Sequence, residues 1–495
     1  AWFNTSWNAA DVASGTTLYV VMSGNEKSLS RDVLFSKASA LEAGVINLFT
    51  LTGGSWADEA QNAHYAGGKG TKISPWIIKT PEQLVCFGGD LAEGSVRYAK
   101  LGADIDMSGI DWTPLNNAGS FNKFIDFDGD GHTISNLTVG ECPYASFAGV
   151  LYGTLKHVTF SGAKVTAGAN KAGVVAGHVG TGANLYPCTL TGVTVKDSEI
   201  TGGSYLGGVI GQVAILTTIS DCHIQNSTVT GTANNMGGFV GVPDLAGAKF
   251  EDCTVTGVTV NSPNAVQYAG GFAGNINKAT IFERCSVKDV VINAPTTKRV
   301  GGFVGQAGRH DGSLITRCIV ENATINAGQN SGGFVGVDYH PDINKCAVIG
   351  GTLTANNTQV GGFAGYPEDN ASLKCQITDS YSTIKVVGGS RANVGGFIGI
   401  AKGLIVVTTC YAAGEVSGTN ANTGIFAGSV DVNTAAISSC IGWNATLPFA
   451  GTVKDGATEV KDNYAGAEGT LSARASAMGW SADVWDFSAD MPKLR

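Results

Sequence analysis

Several features that mark common functional classes are scarce or missing in this sequence of 495 residues. Only 14% of the residues are charged and the formal net charge is −9, whereas proteins that bind nucleic acid usually carry a basic stripe. No run of 18 apolar residues occurs, so no transmembrane helix is predicted. The motifs His-Glu-x-x-His, Cys-x-x-Cys and Gly-x-Ser-x-Gly and the phosphate-binding loop are also absent. We therefore expect no nucleic-acid partner, no membrane span, no cofactor and no enzyme defined by those motifs.

Glycine, in contrast, is abundant, and much of it belongs to a repeat. The 70 glycines are about twice the usual share. A five-residue frame, of which Gly301-Gly302-Phe303-Val304-Gly305 is one copy, recurs ten times at intervals of 24 to 34 residues. The closing glycines of the ten frames are Gly153, Gly177, Gly211, Gly241, Gly274, Gly305, Gly336, Gly365, Gly399 and Gly428. A period of this size is typical of solenoids, propellers and other repeat proteins.

Each position of the frame predicts a different structural role. The outer glycines, Gly301 and Gly305, are expected to need special backbone angles or tight corners. The middle glycine, Gly302, is replaced by Val or Ile in the terminal frames, so we expect it to leave room for a neighbour rather than to adopt a positive φ. The third position is phenylalanine in seven successive frames: Phe239, Phe272, Phe303, Phe334, Phe363, Phe397 and Phe426. Rings in adjacent coils about 4.8 Å apart are predicted to stack.

A cysteine follows the closing glycine of each of the last nine frames. These residues are Cys188, Cys222, Cys253, Cys285, Cys318, Cys346, Cys375, Cys410 and Cys440. Eleven cysteines is an odd number, and the repeat places like with like, so a ladder of buried thiols with few or no disulfides is favoured over a disulfide framework. After many of them polar and apolar residues alternate, as in 253–260, which indicates a strand.

These patterns predict an all-β fold, a right-handed parallel β-helix of about twelve coils with repeats of about 31 residues. Thr80, Pro81 and Gln83 predict the start of a short helix that covers the first coil. The expected organisation is a small β module at 1–60, a linker at 61–72, an N-terminal cap with the first coils at 73–140, the repeat β-helix at 141–450 and a C-terminal cap at 451–495.

One acidic segment imitates a calcium-binding loop. Asp126, Asp128 and Asp130 precede a glycine as in an EF-hand, but Leu137 stands where the loop requires a bidentate Glu. A turn at Asp-Gly is therefore favoured, with metal binding as the weaker alternative. The single histidines have no spaced partner, and we interpret each of them as a surface or satisfied core residue: His64, His157, His178 and His223.

The loops that follow the closing glycines offer a ligand-binding candidate. Equal offsets from successive frames place them on adjacent coils, and three successive loops are unusually polar. The residues predicted to contact a ligand are Arg309, His310, Asp311, Asp338, Tyr339 and His340. They supply charge-assisted donors, acceptors and a ring, and two histidines would make binding change near pH 6. A solvated edge of the solenoid is the alternative, since loops are polar in general.

A resemblance to a known family covers about residues 68–495. The frames at 237–241 and 361–365 are similar to the GLUG motif of bacterial surface proteins, as are the lead-in at 73–84, the segments 103–107 and 127–134, and the ending around Trp485-Asp486-Phe487. The resemblance implies an adhesin or cell-surface binding protein with a β-helix, outside the cell and anchored to an outer membrane through a part not contained in this chain. Residues 1–55 faintly resemble fimbrillin-like surface domains.

Two functional classes follow. The first is a non-enzymatic surface protein for adhesion or ligand binding, whose partner is a glycan or a protein of a host or cell surface. The second is a carbohydrate-active β-helix enzyme, a polysaccharide lyase or glycoside hydrolase, which requires paired carboxylates or a base with a metal in a groove. The absence of a dominant catalytic motif favours the first class.

Overall fold

The computed structural model describes residues 62–495 except 118–122, 169–170, 181–186, 215, 245, 265–266, 309–311, 340, 356, 368–374, 391, 432–434, 445 and 455–459. Four strands nearer the start are also described: Ala10–Val12 pairs with Ser39–Leu41, and Thr17–Ser23 pairs with Ser28–Leu34, both antiparallel. The rest of the small β module predicted at 1–60 lies outside the described residues.

The main body is a parallel β-solenoid of about ten turns, as the sequence predicted, although with fewer turns than the twelve expected. Each coil contributes one strand to each of five parallel sheets, which we call faces 1 to 5. In one central coil these strands are Arg299–Gly301, Val304–Ala307, Leu314–Thr316, Ile319–Glu321 and Thr324–Ala327. Alternate side chains of each strand point into one continuous apolar core. Neither described helix is long and apolar enough to span a membrane.

Faces 1 and 2 flank the glycine frame. The strands of face 1 are Tyr144–Ala145, Lys171–Ala172, Leu206–Gly207, Met236–Gly237, Tyr268–Gly270, Arg299–Gly301, Ser331–Gly332, Gln359–Gly361, Asn393–Gly395 and Thr423–Gly424. The strands of face 2 are Ala148–Leu151, Ala176–Val179, Ile210–Val213, Val240–Pro243, Ala273–Ile276, Val304–Ala307, Val335–Asp338, Ala364–Pro367, Ile398–Ala401, Ala427–Val430 and Ala450–Val453.

Faces 3, 4 and 5 complete each coil. The strands of face 3 are Trp76–Ile78, Val96–Leu101, Phe124–Asp128, Gly153–Lys156, Cys188–Thr191, Thr217–Ser220, Ala248–Glu251, Thr280–Glu283, Leu314–Thr316, Asp342–Asn344, Cys375–Thr378, Ile405–Thr408, Ala435–Ser438 and Val460–Lys461. The strands of face 4 are Ile105–Asp106, Thr133–Ser135, Thr159–Ser161, Thr194–Lys196, His223–Gln225, Thr254–Thr256, Ser286–Lys288, Ile319–Glu321, Ala347–Ile349, Tyr381–Ser382, Tyr411–Ala412, Ile441–Trp443 and Tyr464–Gly466. The strands of face 5 are Thr138–Val139, Lys164–Thr166, Glu199–Gly202, Thr228–Gly231, Thr259–Asn261, Val291–Ala294, Thr324–Ala327, Thr352–Ala355, Lys385–Gly388 and Val416–Ser417.

The phenylalanine column forms the predicted ladder inside the core. Phe303 stacks on Phe272 and Phe334 with ring centroids 5.0 Å apart on both sides, and Phe334 stacks on Phe363 at 4.8 Å. All of these rings are fully buried. Beyond the predicted end, Phe449 continues the ladder at 4.7 Å from Phe426. The separation matches one strand spacing per coil, so the coils stack in register.

The first predicted frame is wrong by four residues. Ala148 of face 2, rather than Tyr152, pairs with Ala176, so the structural frame is 145–149 and Gly149 is its closing glycine. Phe147 occupies its third position, fully buried against Phe160 at 5.1 Å. The error arose because 145–149 has Ala and Ser where other frames have Gly, whereas 149–153 matched at both outer positions.

Close approach, rather than an unusual φ, explains the glycines of the frame. A Cβ on Gly301 would lie 2.0 Å from the carbonyl oxygen of Val304, and one on Gly302 would lie 2.0 Å from that of Gly333. A Cβ on Gly305 would lie 2.8 Å from the backbone of Ala269 in face 1. None of the three has a positive φ. The expectation of special backbone angles at Gly301 and Gly305 is therefore wrong, whereas that of tight packing at Gly302 is confirmed.

The thiol ladder is confirmed for seven of the nine cysteines and wrong for two. Cys222, Cys253, Cys285, Cys318, Cys346, Cys410 and Cys440 precede the strands of face 4, and all are free and buried. Cys188 and Cys375 instead begin strands of face 3. In the coil of Cys375 the ladder position is held by Ser380, whose hydroxyl accepts a hydrogen bond from the Cys346 amide at 3.1 Å. Burial raises the pKa of the Cys318 thiol well above its usual value.

The N-terminal helix begins as predicted and covers the first coil. Helix α1, Pro81–Gly89, has Thr80 as N-cap, and the Thr80 hydroxyl accepts a hydrogen bond from the Gln83 amide at 3.3 Å. Phe87 packs on Phe127 of the core at 5.8 Å. Part of the predicted linker belongs to this cap, because Tyr65 stacks on Trp76 at 4.5 Å.

The C-terminal segment packs on the side of the solenoid. Helix α2, Leu471–Ala477, and the antiparallel pair Trp485–Asp486 and Lys493–Leu494 cover the outer surface of face 4 in the later coils. The Tyr411 hydroxyl donates to the carbonyl of Pro492 at 2.9 Å, and the rings of Tyr411 and Trp485 lie 5.9 Å apart. The segment thus buries aromatic side chains that point away from the main core.

Candidate functional site

The described part of the predicted ligand edge is not exposed. Asp338 is 0% and Tyr339 3% exposed, which corrects their expected presentation to a ligand. Asp338 pairs in register with Ala307, an inward position of face 2, and the Cys375 thiol donates to its carboxylate at 2.9 Å. The remaining members, Arg309, His310, Asp311 and His340, lie outside the described residues, and their role stays a prediction.

The three carboxylates of the calcium-like segment lie among cations. Lys100 Nζ is 2.8 Å from Asp130, and Asp128 contacts Lys156 Nζ at 3.4 Å and His157 Nδ1 at 3.2 Å. Although burial opposes the shift, these contacts and the Asp130 amide hold the pKa of Asp128 below its usual value. Asp126 and Asp128 line a shallow cavity of about 220 Å³ with Lys72, Pro75, Tyr98, Ala99, Lys100 and Lys156. Among the described residues no group of three or more His, Cys, Asp or Glu is arranged to hold a metal.

A more distinctive arrangement lies at the corner between faces 1 and 2. The corner is narrow, because the closing glycine of each frame lies directly against face 1: a Cβ on Gly177 would be 2.9 Å from Tyr144. Outward side chains of the two faces meet there, as shown by the Tyr144 ring stacked on His178 at 5.8 Å. We call the outward polar and aromatic residues of the first coils the corner row. It consists of Tyr144, Lys171, Tyr205, Asn235, Tyr268 and Arg299 from face 1 and of His178, Gln212, Asn275 and Gln306 from face 2.

Tyrosine rings and cations alternate along the face 1 side of the corner row. Lys171 Nζ lies 5.6 Å from the ring centroid of Tyr144 and 5.9 Å from that of Tyr205. The Arg299 guanidinium lies 5.3 Å from the ring of Tyr268 and donates to its hydroxyl at 3.1 Å. All five side chains are half-buried. Such cation–π contacts hold the cations in place while part of each ring stays accessible.

Amides and one carboxylate form a chain along the face 2 side. Gln306 Nε2 donates to Asn275 at 3.1 Å, and Asn275 Nδ2 donates to Asn277 at 2.8 Å. Asn277 and Gln212 in turn each donate to one carboxylate oxygen of Asp244. The network therefore satisfies both oxygens of Asp244 and runs along several coils.

Three polar atoms of the corner row have no hydrogen-bond partner among the described residues. They are His178 Nδ1, Gln212 Oε1 and Asn235 Oδ1. The three residues are only 6%, 5% and 7% exposed, so each atom is more than nine-tenths buried with its residue. An unsatisfied buried polar atom costs about 1–3 kcal/mol, and such atoms are rare enough in folded proteins to require an explanation. Three of them lie in adjacent coils beside accessible rings, which makes the corner row the candidate site.

Burial changes the pKa values of two residues of the corner row, His178 and Lys171. It lowers the pKa of His178 to about 3, and the Lys171 charge adds to this effect, while the neighbouring Gln212 side chain opposes it. His178 is thus neutral at physiological pH. The surface alternative is wrong for His178, because the residue is buried, whereas the satisfied-core alternative is not confirmed, because Nδ1 has no partner among the described residues. Burial also lowers the pKa of Lys171, an effect that the charge of Asp244 partly offsets.

The sequence contained a signal for this site that motif reasoning missed. The face 1 members Lys171, Tyr205, Asn235, Tyr268 and Arg299 each stand two residues before the first glycine of a frame. The face 2 members each stand directly after a closing glycine. An alignment of the frames extended by two residues on both sides would have shown both columns. Their burial and their contact across the corner follow only from the fold.

The similarity of the chain to known proteins is partial. No protein-family model matches the chain. The chain is 30% identical over 205 residues to Halomucin from Haloquadratum walsbyi, a stretch that spans 39% of this chain but only 2% of Halomucin. A solved structure from Bacteroides ovatus, described as a "putative immunoglobulin A1 protease", is 21% identical with a TM-score of 0.32, covering 87% of this chain and 95% of that one. Neither similarity establishes an activity.

Proposed function

We propose that this chain belongs to a non-enzymatic, extracellular cell-surface protein of the GLUG type that binds a glycan through the corner row. The observation that carries the proposal is the set of unpartnered buried atoms, His178 Nδ1, Gln212 Oε1 and Asn235 Oδ1, beside three half-buried tyrosine rings. The similarity to Halomucin over part of the chain supports a place at the cell surface.

The chemistry of the row suits a sugar. A sugar ring has an apolar face of C–H groups that packs on tyrosine, and hydroxyl groups that both donate and accept hydrogen bonds. Gln212 Oε1 and Asn235 Oδ1 are acceptors, whereas Lys171 and Arg299 are donors. Binding sites in general combine aromatic walls with a few placed polar groups. The row also extends over successive coils, which suits a chain of sugars more than a compact molecule.

A carbohydrate-active enzyme is the alternative. Retaining hydrolysis requires two carboxyl groups about 5–5.5 Å apart, and inverting hydrolysis about 6.5–9.5 Å apart. The carboxylate in contact with the described corner row is Asp244, and both its oxygens accept hydrogen bonds from amides. This arrangement favours binding without turnover, so a binding protein is the function we propose.

Glycan-array binding of the purified chain tests the proposal. The variant Tyr144→Ala/Tyr205→Ala/Tyr268→Ala should lose at least tenfold in affinity for the glycan that binds the wild type, since each ring contributes packing. Tyr98→Ala is the matched control, because Tyr98 is a half-buried tyrosine of face 3 that lines the charged cavity. Loss of binding in Tyr98→Ala alone would move the site to that cavity. Release of reducing ends or unsaturated sugars in a turnover assay would favour the enzyme.

A further inference from the structure

We infer that the ligand of the corner row is an extended acidic glycan that lies along the solenoid axis, with its carboxylate or sulfate groups bound by Lys171 and Arg299. The inference rests on the function proposed above and adds the chemical class and the direction of the ligand. The inference follows from the contacts of the two cations, from the distance between them and from the side chains that lie between them.

The two cations differ from Lys288 and Lys385 on the flat faces. On faces 4 and 5, Lys288 pairs with Glu321 at 3.2 Å and Lys385 with Glu415 at 2.6 Å, both across neighbouring coils. Among the described residues no carboxylate lies within 4.0 Å of the charged nitrogens of Lys171 or Arg299. Their contacts are with tyrosine rings instead. Two half-buried cations that form no ion pair within the described part of the chain make an anion the favoured ligand group.

The surroundings of Lys171 strengthen this preference. Its ammonium group lies between two tyrosine rings and has lost part of its water, which lowers its pKa. Of the groups that face it, His178 is neutral and Asp244 is negative but already satisfied by amides. Asp244 reduces the positive potential at Lys171, whereas Arg299, about 19 Å farther along the row, is a separate positive charge. A bound carboxylate or sulfate would restore the solvation that Lys171 has lost.

The separation of the cations sets the length of the ligand. Arg299 lies four coils after Lys171 in face 1, a distance of about 19 Å at roughly 4.8 Å per coil. A single terminal sugar cannot reach both. Between them lie the ring of Tyr205, the free acceptors of Gln212 and Asn235, and the ring of Tyr268. The row therefore offers contacts for several consecutive sugars between two acidic groups.

Matched pairs of acidic and neutral glycans test the inference. The probes are oligogalacturonates of two and of roughly ten sugars, the methyl ester of the longer one, and a sulfated galactan with its desulfated form. We expect the long oligogalacturonate or the sulfated galactan to bind at least tenfold more tightly than its neutral counterpart, and the two-sugar probe to bind at least tenfold more weakly. Binding of only one acidic probe identifies its anionic group.

Charge variants complete the test. Lys171→Gln and Arg299→Gln should each lower the affinity for the acidic probe about tenfold and leave the affinity for its neutral counterpart unchanged. Lys288→Gln, which removes an equal charge from an ion pair on face 4, should leave the affinity unchanged. Equal binding of acidic and neutral probes, equal binding of short and long probes, or equal losses in all three variants would overturn the inference while the proposed glycan binding stands. Binding of no probe on a full glycan array would overturn both.

Discussion

The corner between faces 1 and 2 has the same backbone in both halves of the solenoid but different side chains. In the first half its face 1 column contains the tyrosines and cations of the corner row. In the second half the same column contains only amides: Asn330, Gln359, Asn393 and Asn422. The opposing column of face 2 is mixed in both halves: Val242 lies between the amides of the first half, and Val337, Tyr366 and Ile400 follow in the second half.

Hydrogen bonding separates the two halves further. In the second half two of the four amides accept hydrogen bonds: Thr358 Oγ1 donates to Asn330 Oδ1 at 3.1 Å, and Thr452 Oγ1 donates to Asn422 Oδ1. The unpartnered buried atoms of the two columns all belong to the first half of the described corner. Inward positions must match in every coil to keep the ladders continuous, whereas outward positions are free to vary. The comparison therefore separates the residues that build the solenoid from those that give the first half its chemistry.

The largest expected effect is a loss of stability, and it tests whether the phenylalanine ladder stabilises both halves of the solenoid equally. Phe303→Ala and Phe363→Ala should each lower the free energy of unfolding by about 3–5 kcal/mol, since each ring is fully buried between two stacked neighbours. Chemical denaturation measures both losses. Phe303→Leu, which keeps most of the apolar volume, is the control and should lose less than the Ala variant.

Two results would contradict a shared ladder. A loss below about 1 kcal/mol in either Ala variant would mean that the ring contributes little packing. A loss in one variant of more than twice that in the other would mean that the two halves are stabilised differently. Either result would mean that the ladder does not stabilise both halves equally. The halves would then differ in their scaffold as well as in their outer side chains.

The inward pattern was predictable from the sequence because it repeats. Glycine, phenylalanine and cysteine recur at fixed offsets, and burial in identical coils demands identical side chains, so Phe303, Phe334 and Cys318 were placed correctly. The errors occur where one residue type occupies two environments. Cys375 follows its frame at the usual distance, yet it lies on face 3, because the length of the intervening loop differs from coil to coil.

The candidate site was predictable only in part. The prediction used the polar loops after the closing glycines, whereas the corner row lies on the strands that flank the frames. Asp338 is hydrophilic in sequence and nevertheless fills an inward position, which no periodicity indicates. The corner row depends on contact between outward side chains of two faces, such as Tyr144 with His178. That contact follows from the angle of the corner, and the angle is not encoded in a local pattern.

The second prediction concerns the buried histidine, which has no counterpart in the second half. The folded pKa of His178, about 3, lies below the unfolded value of about 6.5. Its contribution to stability is therefore complete above pH 6.5 and is lost as the pH falls toward 3, where the unfolded chain binds a proton that the folded chain excludes. At pH 4 the loss should be about 3 kcal/mol relative to pH 7.

The variant His178→Gln isolates this contribution. Other carboxylates and histidines also change stability between pH 7 and pH 4, but they are common to both proteins. The quantity to compare is the difference in unfolding free energy between pH 7 and pH 4, which should be about 3 kcal/mol smaller in the variant. Identical pH dependence would show that the His178 imidazole is accessible to protons in the folded state.

The smallest expected effect bears most directly on the proposed site. Tyr205 has a φ of 55°, a left-handed conformation that costs a bulky residue roughly 1 kcal/mol and suits asparagine better. The next residue of the column is asparagine in the same conformation, Asn235, with a φ of 67°. Tyr205→Asn should therefore raise the free energy of unfolding by about 0.5–1 kcal/mol while it weakens glycan binding, because strain of this kind is retained where function requires it.

Tyr268→Asn, at a position without a positive φ, is the control and should weaken binding without any gain in stability. If Tyr205→Asn is less stable than the wild type and binds the glycan equally well, the ring serves packing, and the first half of the corner loses its principal aromatic contact.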